Sequence, residues 1–429
     1  MLATADLIDE ADQPRRLEES LSRCLGSVPL YRSPAPAPAS GPAAGRPALA
    51  LFPQLPFITK RDIRRDFPRN FLGEDADIEA LVEEEVIELE RTSGTSEDRT
   101  QLLLPWGWWA EQERRALELN PVAAELLTRE PAARRVTLNS PSCSGDICYT
   151  GVPSRDDRIV GNALFLSLSK YPFLWSEADL ARMAAEAREW EPQFLDMDPV
   201  YGVVFALYCE RHGIRLPSLR FILASYEFVS TVHRRILQRV FEVPVLNLYG
   251  STETGHLLME DQSGEMRPSL ETAFLELVEP DASGVGELVV TTLTNAFMPL
   301  IRYRIGDLAE RFEHPYGTRY RVHGRAADAF KAGNGRRVTT WQVDQAFAGI
   351  EGIAHYQLSE LAGGRWILRF VPEGKPPTSP DLELLRQRLR PWLEIGGDLE
   401  IQMTEALMPE GSGKFRLGYP NKAPASSGA

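Results

Sequence analysis

From residue 106 to 250, apolar segments of strand length alternate with apolar segments of helix length. "RVTLNSP" and "LRFILAS" are short aliphatic runs that read as extended chain. "EADLARMAAEAREW" and "TVHRRILQRVFE" repeat their apolar residues at helical spacing. This rhythm predicts an α/β architecture. "VPVLNLYG" is β-rich and stops at a glycine turn, which places the polar residues after it at the carboxyl end of a strand, where open α/β sheets bind ligands.

Between 286 and 325 the pattern changes to short strands, "GELVVTTLT", "MPLIRYRIGD" and "TRYRVHGR", punctuated by Gly, Asn, Pro and Asp. Beyond them "TWQVDQAFAGI", "AHYQLSEL", "RWILRFVPE" and "SPDLELLRQRLRPWL" supply enough helix and strand for a small α+β unit. A chain of 429 residues exceeds what one core usually serves, about 250 to 300 residues. The expectation is therefore an α/β protein with a large N-terminal multi-sheet domain, residues 1–323, that has a β-rich end. A small mobile C-terminal α+β domain, residues 324–429, follows it. Residues 34–47, "PAPAPASGPAAGRP", predict a flexible surface loop. "LFPQLPFITKRDIRRDFPRNF" predicts a turn-rich lead into a short helix capped by Thr59, with no chemistry assigned to it.

Composition excludes several classes. Apolar residues make up 43% and charged residues 25%, ample for a core. A net charge of -14 offers no broad basic face for a nucleic-acid backbone or an anionic membrane, so any anionic ligand must be met locally. The opening residues carry acids where a secretory signal has a basic start, and no stretch reaches 18 uninterrupted apolar residues. A cytoplasmic protein is expected, without nucleic-acid or membrane partners; a homodimer is compatible with the sequence. Four scattered cysteines, Cys24, Cys143, Cys148 and Cys209, make no disulfide framework, and the Cys143/Cys148 pair lacks the second half of a zinc site.

Five polar stretches are candidates for chemistry. In "RTSGTSEDRT", Thr92, Ser93, Thr95 and Ser96 surround Gly94, a composition able to wrap phosphate with hydroxyls and amides and equally able to make an ordinary turn. In "LYGSTETGH", Tyr249 offers an aromatic face, and Gly250, Ser251 and Thr252 lead to Glu253, a carboxylate suited to a hydrated Mg²⁺ beside phosphate. In "YRIGDLAE", Gly306 presents Asp307, an acceptor able to take both hydroxyls of a ribose. "GRAADAFKAGNGRRV" gathers Arg325, Asp328 and Lys331 beside hinge-capable Gly333, Asn334 and Gly335, as a mobile lid or a solvated hairpin would. In "GSGKFR", Lys414 follows a glycine-rich approach.

With these motifs in this order, the sequence resembles the adenylate-forming superfamily of acyl-CoA synthetases, peptide-synthetase adenylation domains and luciferases. "LPFITKRDIRRDF", "FEVPVLNLYGSTETG" and "DAFKAGNGRRV" resemble its phenylacetate-CoA ligase branch. The resemblance spans about residues 53 to 418. It implies a mobile C-terminal domain and use of ATP, Mg²⁺ and coenzyme A to convert a carboxylic acid, aromatic by the branch, to an acyl-adenylate and then a thioester. It also implies roles. Thr92 to Ser96 would form the phosphate loop, and Ser225, Tyr226 and Glu227 an adenine-binding segment. Tyr249 would stack on adenine, Thr252 would bind the α-phosphate and Glu253 the Mg²⁺. Asp307 would bind the ribose, with Arg325 nearby, and Asp328 would lie near the hinge. Lys414 would reach the substrate carboxylate and α-phosphate. A carrier-protein thiol or an amine remains open as acceptor. A non-catalytic nucleotide- or acyl-binding homologue also remains open, because Glu97 and Asp98 follow the hydroxyl loop where the family has no acids.

Overall fold

A computed structural model describes residues 10–32, 47–92, 99–141, 153–333, 335–394 and 399–421. The chain divides into two compact units. One comprises Met1–Asn120, Tyr249–Ile305 and Ala309–Arg321, the other Pro121–Leu248, Gly306–Leu308 and Val322–Ala429.

In the second unit, Arg135–Leu138 lies between Ala163–Phe165 and Phe194–Met197, parallel to both. Phe221–Ala224 adds to Phe194–Met197, and Val245–Asn247 adds to it in turn, again parallel. Every residue of Phe194–Met197 and Phe221–Ala224 is buried, as expected of parallel strands covered on both faces. The two helical patterns form Glu177–Trp190 and Thr231–Phe241. Each starts at a serine whose side chain accepts a backbone N–H, Ser176 from Asp179 and Ser230 from His233, meeting donors that a helix start leaves unpaired. A third helix, Pro199–Arg211, is apolar nearly all round and sits in the core, its N-terminus capped by Asp198.

The C-terminal residues of the same unit form a four-stranded sheet in the order Leu399–Met403, Arg365–Pro372, Ile353–Leu361, Gly418–Tyr419. The central pair is antiparallel and the outer strands run parallel to their neighbours. Helix Ser379–Leu393 buries Leu385, Leu389 and Leu393 in one cluster with the sheet's Tyr356, Leu358 and Leu368. Val232 of helix Thr231–Phe241 belongs to that cluster, while Ala354 and Phe415 join the core of the parallel sheet. The sheet therefore shares apolar packing with the α/β layers.

Two buried imidazoles lie in this packing. His233 Nε2 and His355 Nδ1 are 3.0 Å apart, Phe173 and Phe415 pack against the His355 ring, and neither outer ring nitrogen has a partner. Burial pushes His233 down to about 3, and burial together with the His233 ring pushes His355 well below its usual value. The native state therefore binds fewer protons than the unfolded chain, whose imidazoles titrate near 6.5. The stability this confers is complete above that pH and drains away as pH falls below it. Asp344 works the other way, raised by burial to about 7, so it favours the native state on acidification. The comparison must therefore be differential. Between pH 7.5 and 5.5, the wild type is expected to lose about 3 kcal/mol of unfolding free energy relative to the double variant His233→Leu/His355→Phe, measured by urea unfolding. Equal pH slopes would refute a neutral pair.

In the first unit, Ile87–Arg91 and Gln101–Pro105 form an antiparallel hairpin. Ala273–Val278 pairs antiparallel with Val285–Thr292, and Met266–Pro268 with Gly255–Glu260. The segment near Thr59 forms the expected short helix, Lys60–Arg64, with Thr59 donating from both its N–H and its hydroxyl to Asp62. Cys24 and Cys209 are free and buried; Cys143 and Cys148 lie outside the described residues, as does part of the Pro/Ala/Gly tract.

Candidate active site

The strand Val245–Ser251 delivers the "YGSTETG" loop. Gly250 is required by close approach: a Cβ there would stand 2.2 Å from the Gly255 carbonyl oxygen. Ser251 and Thr254 hydroxyls meet at 3.0 Å and brace the turn. Tyr249 and Thr252 are half-buried. Glu253 is 5% exposed, yet its carboxyl lies below the usual carboxylate range. Burial pushes it up, but Lys60 Nζ at 3.0 Å pulls it further down, and the Tyr303 hydroxyl donates to the same oxygen at 3.3 Å. Glu253 is thus an ionised, nearly buried carboxylate whose cation comes from the first residue of the Thr59-capped helix. Sequence reasoning assigned Lys60 no chemistry, and no local signal ties it to a glutamate 193 positions later.

Removing that cation has a signed consequence. Lys60→Met leaves a buried carboxylate unpaired, at an expected cost of about 2 kcal/mol at pH 7.5; this is less than a fully buried pair because Lys60 is 36% exposed. Burial then raises the carboxyl, so the native state binds more protons than the unfolded chain and part of the loss returns by pH 5. Thermal unfolding at the two pH values checks both signs.

Of the proposed phosphate loop, Thr92 is described and buried. Its hydroxyl accepts the Thr100 N–H at 2.9 Å while its own N–H donates to the Thr100 carbonyl, closing the hairpin. Ser93, Gly94, Thr95 and Ser96, with Glu97 and Asp98, lie outside the described residues.

In the second unit, the Ser225–Glu227 segment follows strand Phe221–Ala224 and is anchored by Asp196, one strand away. Ser225 Oγ and the Tyr226 hydroxyl each donate to the Asp196 carboxylate at 2.9 Å. Tyr226 has φ of 72°, a left-handed conformation costly for a bulky residue, and the hydroxyl tether fixes its partly exposed ring. Asp307 is 6% exposed and meets Arg325 Nε at 3.2 Å. Asp328 pairs with Arg416 at 2.5 Å; burial raises its carboxyl although Arg416 opposes the shift. Lys331 is exposed on a short strand paired with Arg337.

Lys414 follows a tight turn in which Gly413 N donates to Glu410 O and Glu410 N to Lys414 O. It acts electrostatically on two carboxyls, the buried Asp198 and the half-buried Glu227. Burial raises both, the Asp198 charge raises Glu227 further while the hydrogen bond from Glu227 lowers Asp198, and Lys414 draws both down. Asp198 also accepts the Val200 N–H, and Glu227 accepts the Phe415 N–H. The pair titrates as a unit shifted upward, more strongly at Glu227, with the Lys414 side chain opposing the shift. The structure brings Glu227 and Lys414 together, as it does Asp307 with Arg325. Sequence reading missed Asp198, whose signal was its place before Pro199 at a helix start.

Comparison with known proteins agrees with this fold. No family model matches the chain. A phenylacetate-coenzyme A ligase from Thermus thermophilus is 26% identical over 310 residues, covering 69% of this chain and 64% of that protein. One from Escherichia coli is 25% identical over 374 residues, covering 81% and 78%. The chain thus spans slightly under two thirds of the Thermus protein's length. Among solved structures, a 2-hydroxyisobutyryl-CoA ligase in the postadenylation state superposes with a TM-score of 0.66 at 15% identity, covering 97% of this chain and 91% of that one. An anthranilate CoA ligase in complex with anthranoyl-AMP gives 0.53 at 14% identity, covering 77% and 66%. In sequence the chain is similar to ligases of the adenylate-forming superfamily, and it shares their fold. Within that superfamily, the relatives just compared carry the name phenylacetate-coenzyme A ligase, and the chain is a distant homologue of them.

Proposed function

We propose that the protein activates a carboxylic acid with ATP and passes the acyl group to a thiol, that of coenzyme A. In the first step a substrate carboxylate oxygen attacks the α-phosphorus, and the bond to pyrophosphate breaks to leave an acyl-adenylate. In the second a thiol sulfur attacks the acyl carbonyl, AMP departs with the bond electrons, and the thiol proton is released. The single observation that carries this reading is Lys414, presented on a fixed turn beside Glu227 and Asp198 in a chain similar to these ligases.

Each residue has a task under this reading. Lys414 sets a cation against charge developing at the carboxylate and α-phosphate, the kind of preorganised contact that supplies several kcal/mol. Tyr226, fixed by Asp196, and Tyr249 offer faces to adenine. Asp307, ion-paired with Arg325, supplies the carboxylate that accepts ribose hydroxyls. Thr252 and the Thr92–Ser96 loop meet phosphate oxygens. Glu253, being ionised and a hard oxygen donor, fits Mg²⁺, which takes few protein ligands. When bound, the ion would neutralise phosphate charge. A turn of residues 324–429 between the steps would withdraw Lys414 and admit the thiol. An aromatic acid is favoured by Trp109, whose partly exposed ring lies 4.8 Å from that of His256, three residues beyond Glu253.

The test is ATP–pyrophosphate exchange across a panel of aryl and fatty acids. Exchange with at least one aryl acid is expected. ATP binding with no exchange for any acid would refute the reading in favour of a non-catalytic binding protein. Competition among coenzyme A, a carrier-protein thiol and amines for the preformed adenylate identifies the acceptor.

A further inference from the structure

The turn that carries Lys414 is gripped almost wholly by its main chain. Ser140 Oγ donates to the Ser412 carbonyl at 3.2 Å, and Lys170 Nζ donates to the Gly411 carbonyl at 2.8 Å. The Tyr201 hydroxyl lies 3.2 Å from the Gly413 carbonyl and 3.0 Å from the Lys170 carbonyl, so one proton is shared between the lysine turn and the segment that clamps it. Glu227 takes the Phe415 N–H from the other side. These four residues lie more than 180 positions before the turn and come from four separate segments.

Two features separate this from ordinary packing. Ser140, Lys170 and Tyr201 read backbone carbonyls, so they fix the path of the chain that carries Lys414, while Glu227 holds the next amide and faces the lysine charge. The fit also admits only glycine at 413, where φ is 87° and a Cβ would stand 2.1 Å from Ser140 Oγ. Tyr201 is fully buried in helix Pro199–Arg211, whose N-cap is Asp198, so one helix carries both a clamp hydroxyl and a carboxyl that faces Lys414.

We propose that Ser140, Lys170 and Tyr201 are positioning residues that dock the Gly411–Lys414 turn for adenylate formation and play no part in thioester formation. This rests on the functional reading above, and it adds residues to which neither the motifs nor the relatives' names assign a role. The clamp acts through Lys414 and touches no reacting atom. Since displacing a catalytic group by about 1 Å can cost 100-fold, modest loosening should be visible in the rate.

The experiment compares wild type, Lys170→Met, Tyr201→Phe and the double variant in two assays. One is pyrophosphate exchange, the other thioester formation from preformed acyl-adenylate and coenzyme A. Each single variant is expected to lose about tenfold in the kcat of exchange, and the double variant about 100-fold, with KM for ATP and thioester formation within about twofold of wild type. Lys170→Arg, which keeps a donor, is expected to recover most of the loss. Equal loss in both half-reactions, or no loss in the double variant, overturns the proposal. Lys170 is only half-buried, so Lys170→Met keeps the test open should Tyr201→Phe fold poorly. Hydrogen exchange of the Gly413 and Phe415 amides supplies a readout independent of turnover. Faster exchange in the variants supports the clamp, and unchanged protection overturns it whatever the activity. Wild type that exchanges no pyrophosphate with any acid defeats the functional reading instead.

Discussion

Lys414→Ala is expected to lower ATP–pyrophosphate exchange by about 100- to 1,000-fold, the loss seen when one preorganised donor is taken from a developing oxyanion. Thioester formation from preformed acyl-adenylate should fall far less, because there the charge to be met is that of departing AMP and the lysine turn is proposed to have swung away. The fold should tolerate the change. Lys414 lowers both Asp198 and Glu227, so without it both carboxyls rise further, and a protonated pair has no charge left uncompensated. A melting temperature within a few degrees of wild type is therefore expected. Lys414→Arg should recover little exchange, since a planar fork does not replace a compact ammonium at a site shaped around one. Equal losses in the two half-reactions would remove Lys414 from its assigned step.

The fold class was legible because it is written in local periodicity. The helices Glu177–Trp190 and Thr231–Phe241 have a polar face that marks them, and the strands Phe221–Ala224, wholly buried, and Val245–Ser251, buried in its first half, are short runs ended by turn residues. Helix Pro199–Arg211 is different. "VYGVVFALY" is apolar on every side, so its sequence reveals a buried segment but not that Tyr201 faces a turn 212 residues away. Motifs presented by one turn, such as "YGSTETG", could be read from the chain. Partners that complete them could not, because Lys60, Asp196, Asp198 and Lys170 meet their targets through tertiary packing, which leaves no spacing rule in the sequence. Charge alone was also misleading: Lys60 sits among the basic residues of "ITKRDIRRDF", where one cation looks like the next.

Gly250→Ala is expected to be the most damaging conservative change in the nucleotide loop, for a reason visible two layers deep. Its Cβ would meet backbone, the Gly255 carbonyl oxygen at 2.2 Å and His256 Cα at 2.9 Å, so no rotamer change relieves the overlap. The Gly255 peptide cannot retreat. Gly255 has φ of 76°, and even a Cβ on it would meet the Trp108 ring at 2.9 Å and Gln112 at 3.0 Å. Trp108 is held by its indole N–H to Thr294 Oγ1, and Gln112 accepts the Thr272 hydroxyl at 2.9 Å. The strain must fall on the turn between, which carries Ser251, Thr252 and Glu253. A cost of about 3 kcal/mol, or a fall in melting temperature of roughly 6 to 12 °C, is expected, together with loss of nucleotide binding. Gly26→Ala is the matched control, because a Cβ there meets nothing within 4 Å and the residue lies in helix Gln13–Ser27, where alanine should be neutral or gain up to about 1 kcal/mol. Opposite signs for the two glycines, read by thermal unfolding and by titration with ATP, would establish that the loop is held by backbone contact. A Gly250→Ala protein that melts and binds ATP as wild type does would mean that the Gly255 peptide is free to move and that backbone contact does not hold the turn carrying Glu253.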